Sequence, residues 1–354
     1  MSIRYGIIGT GMMGCEHIRN LMQIEGAEVT AIADISEESR NWGVNACTGE
    51  FSPQVFNNYE ELLASDNVDA VVVATPNFTH IDVMREIFKT DKHVLLEKPM
   101  CTSVEDAKEV VQSSKSHKGV VWIGLEYRYM TTISATLENL EAVGDIRMCA
   151  IREHRFPFLK KVNNWNRFNQ NTGGTLVEKC CHFFDLMNQV IPSDPVSVFA
   201  SGGQDVNHLH EVYEGETSDI LDNAYVIVNY ANGARALLDL CMFAEGSEHE
   251  QEIAVTGDKG KIETTVPGKE LIISSRSSNN FKRIPVESDP RIKEQGFHHG
   301  ASYLEHLGFL DAINNQTPPA VTVNDGLMSI VLGIAAQQSI ETGQLVKISD
   351  TLAG

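Results

Sequence analysis

The chain is poor in basic residues. Its 354 residues include 28 lysines and arginines against 48 aspartates and glutamates, which gives a formal net charge of −20. A surface with this much negative charge repels phosphate backbones and acidic lipid headgroups. We therefore expect neither nucleic-acid binding nor attachment to a membrane surface. Long apolar runs are also missing, since no stretch approaches the roughly 18 residues that a membrane-spanning helix needs.

Cysteine is sparse and irregularly spaced. The seven cysteines are an odd number and include no C-x-x-C pair, which is typical of reduced thiols and not of a disulfide framework. Cys180-Cys181-His182 does not match the spacing of zinc ligands, so we expect no metal. The N-terminus also lacks the ordered regions of a secretory signal. Together these features predict a cytoplasmic protein.

The length predicts two domains, since a domain commonly has roughly 100–200 residues. Short Val- and Ile-rich runs alternate with helical stretches over residues 1–126, which is typical of a doubly wound parallel sheet. Closely spaced strands follow, one hairpin among them marked by Asn232-Gly233. One helix at about 174–190 interrupts these strands, and two helices close the chain.

We therefore predict an α/β protein with an N-terminal Rossmann domain over residues 1–126. Residues 127–354 are predicted to form a substrate-binding and oligomerisation domain, built on a large, open, mostly antiparallel sheet. The C-terminal helices are able to pack back on the first domain.

A glycine pattern follows the first strand. Gly9-Thr10-Gly11-Met12-Met13-Gly14 matches G-x-G-x-x-G and stands between an apolar strand and an amphipathic helix. In a dinucleotide site, Gly9 permits the tight turn, Gly11 admits the pyrophosphate, and Gly14 lets the helix pack near the strand. Free N–H groups at the helix N-terminus favour a bound phosphate. The six residues are therefore predicted to bind NAD(P).

Asp34 ends the second strand, about 20 positions after Gly14. A carboxylate there accepts hydrogen bonds from the ribose hydroxyls of NAD and repels the 2′-phosphate of NADP. NAD is therefore favoured, although Arg40 nearby could soften that repulsion and leaves NADP possible. The structural alternative is that Asp34 caps the helix that begins near Ser36.

Polar residues follow two further strands, where ligands sit in doubly wound sheets. Thr75, Asn77 and His80 are candidates for the ribose–nicotinamide side, although Thr and Asn also favour capped turns. Glu97-Lys98-Pro99 ends the fourth of the predicted strands. A lysine at a buried strand end is costly unless it has a charged or hydrogen-bonding partner or a functional role. Near a nicotinamide, it could exchange a proton with an alcohol.

The ordered motifs up to Glu97-Lys98-Pro99 resemble those of the glucose–fructose oxidoreductase, inositol dehydrogenase and rhizopine-catabolism (Gfo/Idh/MocA) family. The resemblance extends over nearly the whole chain. It implies a Rossmann domain followed by an open-sheet domain, tight NAD(P) binding with Glu97 and Lys98 at the cofactor, and a homodimer or homotetramer built on the sheet face.

A second signature of that family is a Gly-Gly stretch leading into a helix with Asp-x-x-x-His. Here Gly173-Gly174 precedes Glu178 and His182. Glu178 replaces the usual aspartate, which adds one methylene. On one helix, positions i and i+4 share a face. The resemblance implies that Lys98, Glu178 and His182 surround the reacting carbon; the alternative is a purely structural pair on the helix.

Further polar and aromatic residues suit a hydroxylated ring, which needs hydrogen bonds and an apolar face. Those assigned to substrate are Arg128, Arg152, His154 and Trp165, with Lys98, Glu178 and His182. Trp165 and Arg167 resemble the family's Trp-Arg element near the nicotinamide, so Arg167 is assigned to cofactor. For His298-His299, an exposed helix start is favoured over substrate contact.

The function expected from these residues is NAD(P)-dependent oxidation of a secondary hydroxyl of a sugar, sugar derivative or cyclitol. Lys98 or His182 removes the hydroxyl proton as hydride leaves the same carbon for the nicotinamide, while Glu178 orients its neighbour. Two alternatives stay open. One is a glycoside-processing enzyme with tightly bound, recycled NAD, and the other is a non-catalytic nucleotide sensor.

Overall fold

The structure is a computed structural model that describes residues 2–48 and 52–353, and these residues form two compact units. The first unit contains the chain up to Cys101, Glu105–Tyr129 and Pro290–Leu327. The second contains Thr102–Val104, Met130–Asp289 and the chain from Met328 onward. The predicted boundary at residue 126 stays a prediction for the limits of independently folding domains.

The first unit is built on a six-stranded parallel sheet. Its strands are β1 (Ile3–Ile8), β2 (Ala27–Ala33), β3 (Gln54–Phe56), β4 (Ala70–Val73), β5 (His93–Glu97) and β6 (Val121–Gly124). The intervening helices are α1 (Met12–Leu21), α2 (Glu37–Ala46), α3 (Tyr59–Leu63), α4 (His80–Ile87) and α5 (Val104–Ser114). The strand order is β3-β2-β1-β4-β5-β6.

This sheet confirms the predicted doubly wound fold. All neighbouring strands are parallel, and β4 is fully buried, as expected for a central strand covered on both faces. The short strand β3 was not predicted. It lies at the sheet edge and has no fully buried residue, so it lacks the apolar run by which the other strands were found.

The second unit is built on a nine-stranded mixed sheet of order β16-β15-β14-β13-β7-β12-β11-β8-β17. Its long strands are β7 (Ile146–His154), β8 (Pro195–Gly203), β11 (Asn223–Tyr230), β12 (Arg235–Cys241), β13 (Gln251–Gly257), β14 (Gly260–Val266), β15 (Glu270–Ser275) and β16 (Asn280–Pro285). Its one short strand is β17 (Val346–Lys347), while β9 (Val212–Tyr213) and β10 (Glu216–Thr217) form a separate two-stranded sheet. β7 and β12 pair in parallel, and the other neighbours are antiparallel.

The remaining helices are α6 (Thr131–Glu138), α7 (Asn169–Thr172), α8 (Thr175–Glu178), α9 (Cys181–Val190), α10 (Ala301–Asn315), α11 (Val323–Thr342) and α12 (Ile348–Ala353). No helix among residues 2–48 and 52–353 is long and apolar enough to cross a membrane. The hairpin at Asn232-Gly233 is confirmed, since it joins the antiparallel strands β11 and β12 with Gly233 at φ 83°.

The expected single helix at about 174–190 is wrong. Helix α8 ends at Glu178, α9 begins at Cys181, and Cys180 between them has ψ −4°. Lys179 lies at the break and is buried, with its Nζ 3.0 Å from a carboxylate oxygen of Glu153 on β7. A buried lysine is stable only beside such a partner. Periodicity along one segment could not reveal a break that coincides with an ion pair to another element.

Candidate functional site

The three glycines after β1 have different structural roles. Gly9 has φ +88°, and a Cβ on it would lie 2.6 Å from the Ala74 carbonyl oxygen. A Cβ on Gly14 would lie 2.0 Å from the Gly9 carbonyl oxygen. The fold itself therefore requires these two glycines. Gly11 differs, because a Cβ there would meet nothing within 4 Å. It leaves open space at the N-terminus of α1, as a bound pyrophosphate requires.

Asp34 joins the two loops at the ends of β1 and β2. One carboxylate oxygen accepts the Thr10 N–H at 2.9 Å, and the other accepts the Ser36 N–H at 2.9 Å. The N-cap of α2 is Ser36, whose hydroxyl accepts from the Ser39 N–H, so the capping alternative for Asp34 is wrong. Arg40 donates to the Asp34 carbonyl oxygen at 2.7 Å, which holds a guanidinium beside this edge.

The end of β4 places one unsatisfied polar group at the same edge of the sheet. Asn77 is 6% exposed, and its Nδ2 has no hydrogen-bond partner among the residues that the structure describes. The two His80 ring nitrogens lie 2.9 Å from the Pro99 carbonyl oxygen and 3.1 Å from that of Thr75. His80 therefore joins two strand ends. Buried polar groups ordinarily have partners, so the Asn77 amide fits a ligand such as NAD.

An apolar side chain that the sequence motifs did not include lies beside Asp34. Ile35 is 88% exposed. A single exposed apolar residue is ordinary on a protein surface, but this one follows directly on the carboxylate assigned to the ribose. The only sequence signal was the Asp-Ile pair at the strand end.

Lys98 follows directly on β5, and its backbone is held by the preceding side chain. The Lys98 N–H donates to Glu97 Oε2 at 3.0 Å, and the Lys98–Pro99 peptide bond is cis. Glu97 is 5% exposed and lies 2.7 Å from His17 Nε2. Burial acts to raise the pKa of Glu97, but the His17 hydrogen bond and charge outweigh it and lower that pKa. A carboxylate with both oxygens occupied is therefore fixed behind the lysine.

A cluster of buried acids and histidines behind this strand end was not predicted. His17 Nδ1 lies 2.8 Å from His306 Nε2, and both rings are fully buried. Nearby, His298 Nδ1 lies 3.1 Å from a carboxylate oxygen of Glu16, and its Nε2 lies 3.5 Å from one of Glu126. Each residue looked unremarkable in the sequence, because the members come from α1, two strand ends and the segment around α10.

His298 is therefore not part of an exposed helix start, and that favoured interpretation is wrong for it, while His299 is exposed. Burial acts to lower the pKa of His298, but the Glu126 and Glu16 carboxylates outweigh this and raise it. Burial acts to raise the pKa of Glu16, yet its hydrogen bond with His298 leaves that pKa lowered. The ring thus lies between the carboxyl groups of Glu16 and Glu126, which favour its charged form, while burial raises the pKa of Glu126.

In the second unit, Glu178 and His182 are both buried, with 7% and 2% exposure. They lie on the separate helices α8 and α9, so sharing one continuous helical face is not what places them. Gly173 and Gly174 precede α8 with φ +77° and +90°, and Gln337 donates to the Gly173 carbonyl oxygen at 2.7 Å. The Gly-Gly turn is thus anchored on α11.

Arg152 and His154 lie on a different surface. Arg152 pairs with Glu252 at 2.7 Å, and His154 Nε2 lies 3.0 Å from a carboxylate oxygen of Asp239, in each case across neighbouring strands. The intervening Glu153 points to the face that carries Lys179. Because side chains alternate along a strand, Arg152 and His154 are on the opposite sheet face from Lys179, and Arg152 lines a groove of about 520 Å³.

The other predicted residues are placed as follows. Arg128, in the first unit, forms an ion pair with Asp325 at 3.1 Å. In the second unit, Trp165 is half-buried in the segment before α7. Arg167 is 2% exposed, and its guanidinium donates to Glu211 at 3.0 Å and to the Phe158 carbonyl oxygen at 3.1 Å. Those bonds join two loops of the second unit.

The chain was compared with known proteins. A myo-inositol 2-dehydrogenase of Thermotoga maritima is 27% identical over 361 residues, covering 99% of this chain and 100% of that protein. An inositol 2-dehydrogenase of Rhizobium meliloti is 23% identical over 352 residues, covering 99% and 100%. The structure of levoglucosan dehydrogenase in complex with NADH and levoglucosan has a TM-score of 0.86 at 18% identity, covering 98% of this chain and 100% of that chain, and so shares the fold.

Two family models match this chain. The model described as "Oxidoreductase family, NAD-binding Rossmann fold" matches residues 3–125, and "Oxidoreductase family, C-terminal alpha/beta domain" matches residues 138–348. Together they span most of the sequence, in the order that the motifs predicted. The protein therefore belongs to the Gfo/Idh/MocA family of oxidoreductases, and its N-terminal domain is an NAD-binding Rossmann domain.

Proposed function

We propose that this protein is an NAD-dependent dehydrogenase that oxidises a secondary hydroxyl of a sugar, a sugar derivative or an inositol-like cyclitol. The observation that carries the proposal is that Lys98 and the glycine loop follow β5 and β1 at the same edge of the parallel sheet, with only β4 between these two strands. Ligands of such sheets bind at the carboxyl ends of the strands. The names of the inositol and levoglucosan dehydrogenases among the relatives support the substrate class.

The nucleotide side of the proposal assigns residues by contact type. The N–H groups at the start of α1 and the space over Gly11 receive the pyrophosphate, and Asp34 receives the ribose hydroxyls. The Asn77 amide and Thr75 line the nicotinamide side, with His80 holding their loop in place. When bound, NAD supplies the hydride acceptor, whereas the protein positions the substrate and manages the proton.

For the proton, we assign Lys98 and His182 as the pair that takes it from the reacting hydroxyl, with Glu178 orienting the imidazole. General acid–base groups contribute about 10²- to 10⁴-fold to a rate. Trp165 and Arg128 are proposed substrate neighbours. Arg167 is proposed to shape the site through its two loops, whereas Arg152 lines the groove described above and His154 lies on the same face of the sheet. A homodimer or homotetramer is also proposed.

The test is a screen for reduction of NAD⁺ and NADP⁺ by inositols, aldoses, uronic acids, levoglucosan and other glycosides, followed by reduced-nicotinamide absorbance. With the best substrate, Lys98→Met is expected to lower kcat by about 10²- to 10⁴-fold while leaving NADH affinity intact. Lys118→Met is the matched control, because Lys118 is a surface lysine whose Nζ pairs with Asp91.

Three results would contradict the proposal. Normal turnover by Lys98→Met would remove the lysine from the chemistry. Product formation from a glycoside without net NADH would indicate a recycled cofactor, and no turnover of any polyol despite tight NADH binding would indicate a sensor.

A further inference from the structure

Three buried side chains from three elements form a continuous hydrogen-bonded chain in the first unit. His306 on α10 lies 2.8 Å from His17 on α1, and His17 lies 2.7 Å from Glu97 at the end of β5. The chain ends at the lysine, because Glu97 accepts the Lys98 N–H at 3.0 Å. Leaving a buried donor without an acceptor is costly, so the bonding pattern of these groups is strongly constrained.

In each of these hydrogen bonds, the donor and the acceptor can be assigned, and all of them donate toward Glu97. The lowered pKa of Glu97 makes it an ionised acceptor, so His17 Nε2 carries a proton. Burial lowers the pKa of His306 well below its usual value, so that ring carries one proton. His306 Nδ1 has no partner among the described residues, and a proton there would be an unsatisfied buried donor. The proton therefore sits on His306 Nε2 and is donated to His17 Nδ1.

The backbone next to Glu97 leaves little space, and several other charged groups surround this carboxylate. Gly124 pairs with Glu97 across β5 and β6, and a Cβ there would lie 3.2 Å from the Glu97 Cα. Lys98 and His298 act with His17 to lower the pKa of Glu97, and the Glu16, Glu126 and Glu305 carboxyl groups also interact electrostatically with it. Helix α1 carries both His17 and, at its N-terminus, the glycine loop. One helix thus connects the nucleotide loop to the lysine strand end.

We propose that His17 is a positioning residue, which with His306 holds the Glu97 carboxylate against the Lys98 N–H and so fixes the backbone from which the lysine side chain leaves. The inference rests on the proposed role of Lys98. Its physical basis is that small displacements of a reacting group are costly, about 10²-fold for 1 Å. His17 touches neither the substrate nor the reacting atoms in this role.

The first arm of the test needs no substrate. Nitrogen-15 NMR of selectively labelled histidines reports which ring nitrogen carries the proton. We expect both His17 and His306 to be protonated on Nε2 in the wild type. Glu97→Gln must keep its oxygen toward the Lys98 N–H and turn its NH₂ toward His17, so both rings are expected to switch to Nδ1–H. Any other wild-type protonation, or no switch in Glu97→Gln, would overturn the hydrogen-bond direction.

The second arm measures positioning. The amide nitrogen of His17→Gln reaches the place of Nε2 and can still donate to Glu97, whereas that of His17→Asn cannot. We expect His17→Asn to lose roughly 10- to 100-fold in kcat and His17→Gln to recover most of it. NADH affinity and KM are expected to be unchanged in both variants. Equal losses, or losses confined to KM or thermal stability, would reduce His17 to a packing role.

Asn20→Leu is the control, because Asn20 is buried on the same helix and has no side-chain hydrogen bond among the described residues. Its kcat should equal that of the wild type. If no polyol is a substrate, the wild type itself is inactive and the proposed function fails. The NMR arm still decides whether the hydrogen bonds from His306 through His17 to Glu97 have the proposed direction. If both His17 variants fail to fold, Glu97→Met, which cannot accept the Lys98 N–H, carries the kinetic arm; it should lower kcat with KM unchanged, and an unchanged kcat would overturn the proposal.

Discussion

The glycines of the nucleotide loop allow folding and cofactor binding to be separated by a pair of substitutions. Gly11→Ala places a methyl where the structure has nothing within 4 Å, and its φ of −71° is ordinary for an L-residue. Loss of a glycine N-cap and the gain from a stiffer unfolded chain are each about 0.5–1 kcal/mol and oppose each other. We therefore expect the free protein to keep its melting temperature within about 2–4 °C.

Cofactor affinity should respond differently. If the pyrophosphate passes over Gly11, the added methyl occupies its place, and NADH binding should weaken at least tenfold, or about 1.4 kcal/mol. Gly14→Ala puts its methyl 2.0 Å from the Gly9 carbonyl oxygen. The backbone must then shift, at a cost of about 1–3 kcal/mol, so this variant should melt at a lower temperature even without cofactor.

The measurements are thermal unfolding of the free variants and fluorescence titration with NADH. The reasoning would be refuted if Gly11→Ala bound NADH as tightly as the wild type, because the open space would then not be the phosphate site. It would equally be refuted if Gly14→Ala kept full stability, since that would mean the loop yields to the methyl without strain.

Two further predictions concern single carboxylates. Asp34→Asn removes the charge that is assigned to the ribose. Because a hydrogen bond to a charged group contributes about 1.5–3 kcal/mol, NADH should bind about 10- to 100-fold more weakly, and discrimination against NADPH should fall. The control Glu28→Gln, at the far end of β2, should change neither property. An unaltered NADH-to-NADPH ratio would argue against the assignment. Burial raises the pKa of Glu305 well above 4.5, so this carboxyl favours the folded state at low pH and loses that contribution as pH rises above the unfolded value. Glu305→Gln can still accept from Trp122 and should melt higher than the wild type, by a margin that grows as the pH rises above 4.5; a margin independent of pH would contradict this.

Much of the fold followed from local patterns. Buried parallel strands such as β4 are apolar throughout, and the Asn232-Gly233 turn carries its own backbone preference. The elements that escaped prediction are short or exposed. Every residue of β16 is exposed, so it shows no apolar face, and the polar stretch at 274–280 contains the turn of the hairpin that joins β15 to β16.

The chemistry-bearing residues divide in the same way. Gly9, Gly11 and Gly14 were found because the requirements of a βα turn are met within a few residues of one another. His17 and His306 were not found, because these two hydrogen-bonding partners are 289 positions apart in the sequence. A helical spacing rule placed Glu178 and His182 on one helix, and the break at residues 179–180 removed that premise.

By itself, the sequence determined the doubly wound parallel sheet, the glycine loop with its acidic strand end, and the family to which the chain belongs. Those features depend on periodicity and on turn geometry, which act between near neighbours. Only the tertiary structure decided which polar side chains support one another. Burial makes an isolated charge too costly to keep, so the partners of Glu97, His298 and Lys179 come from distant segments that meet only when the sheet and helices have packed.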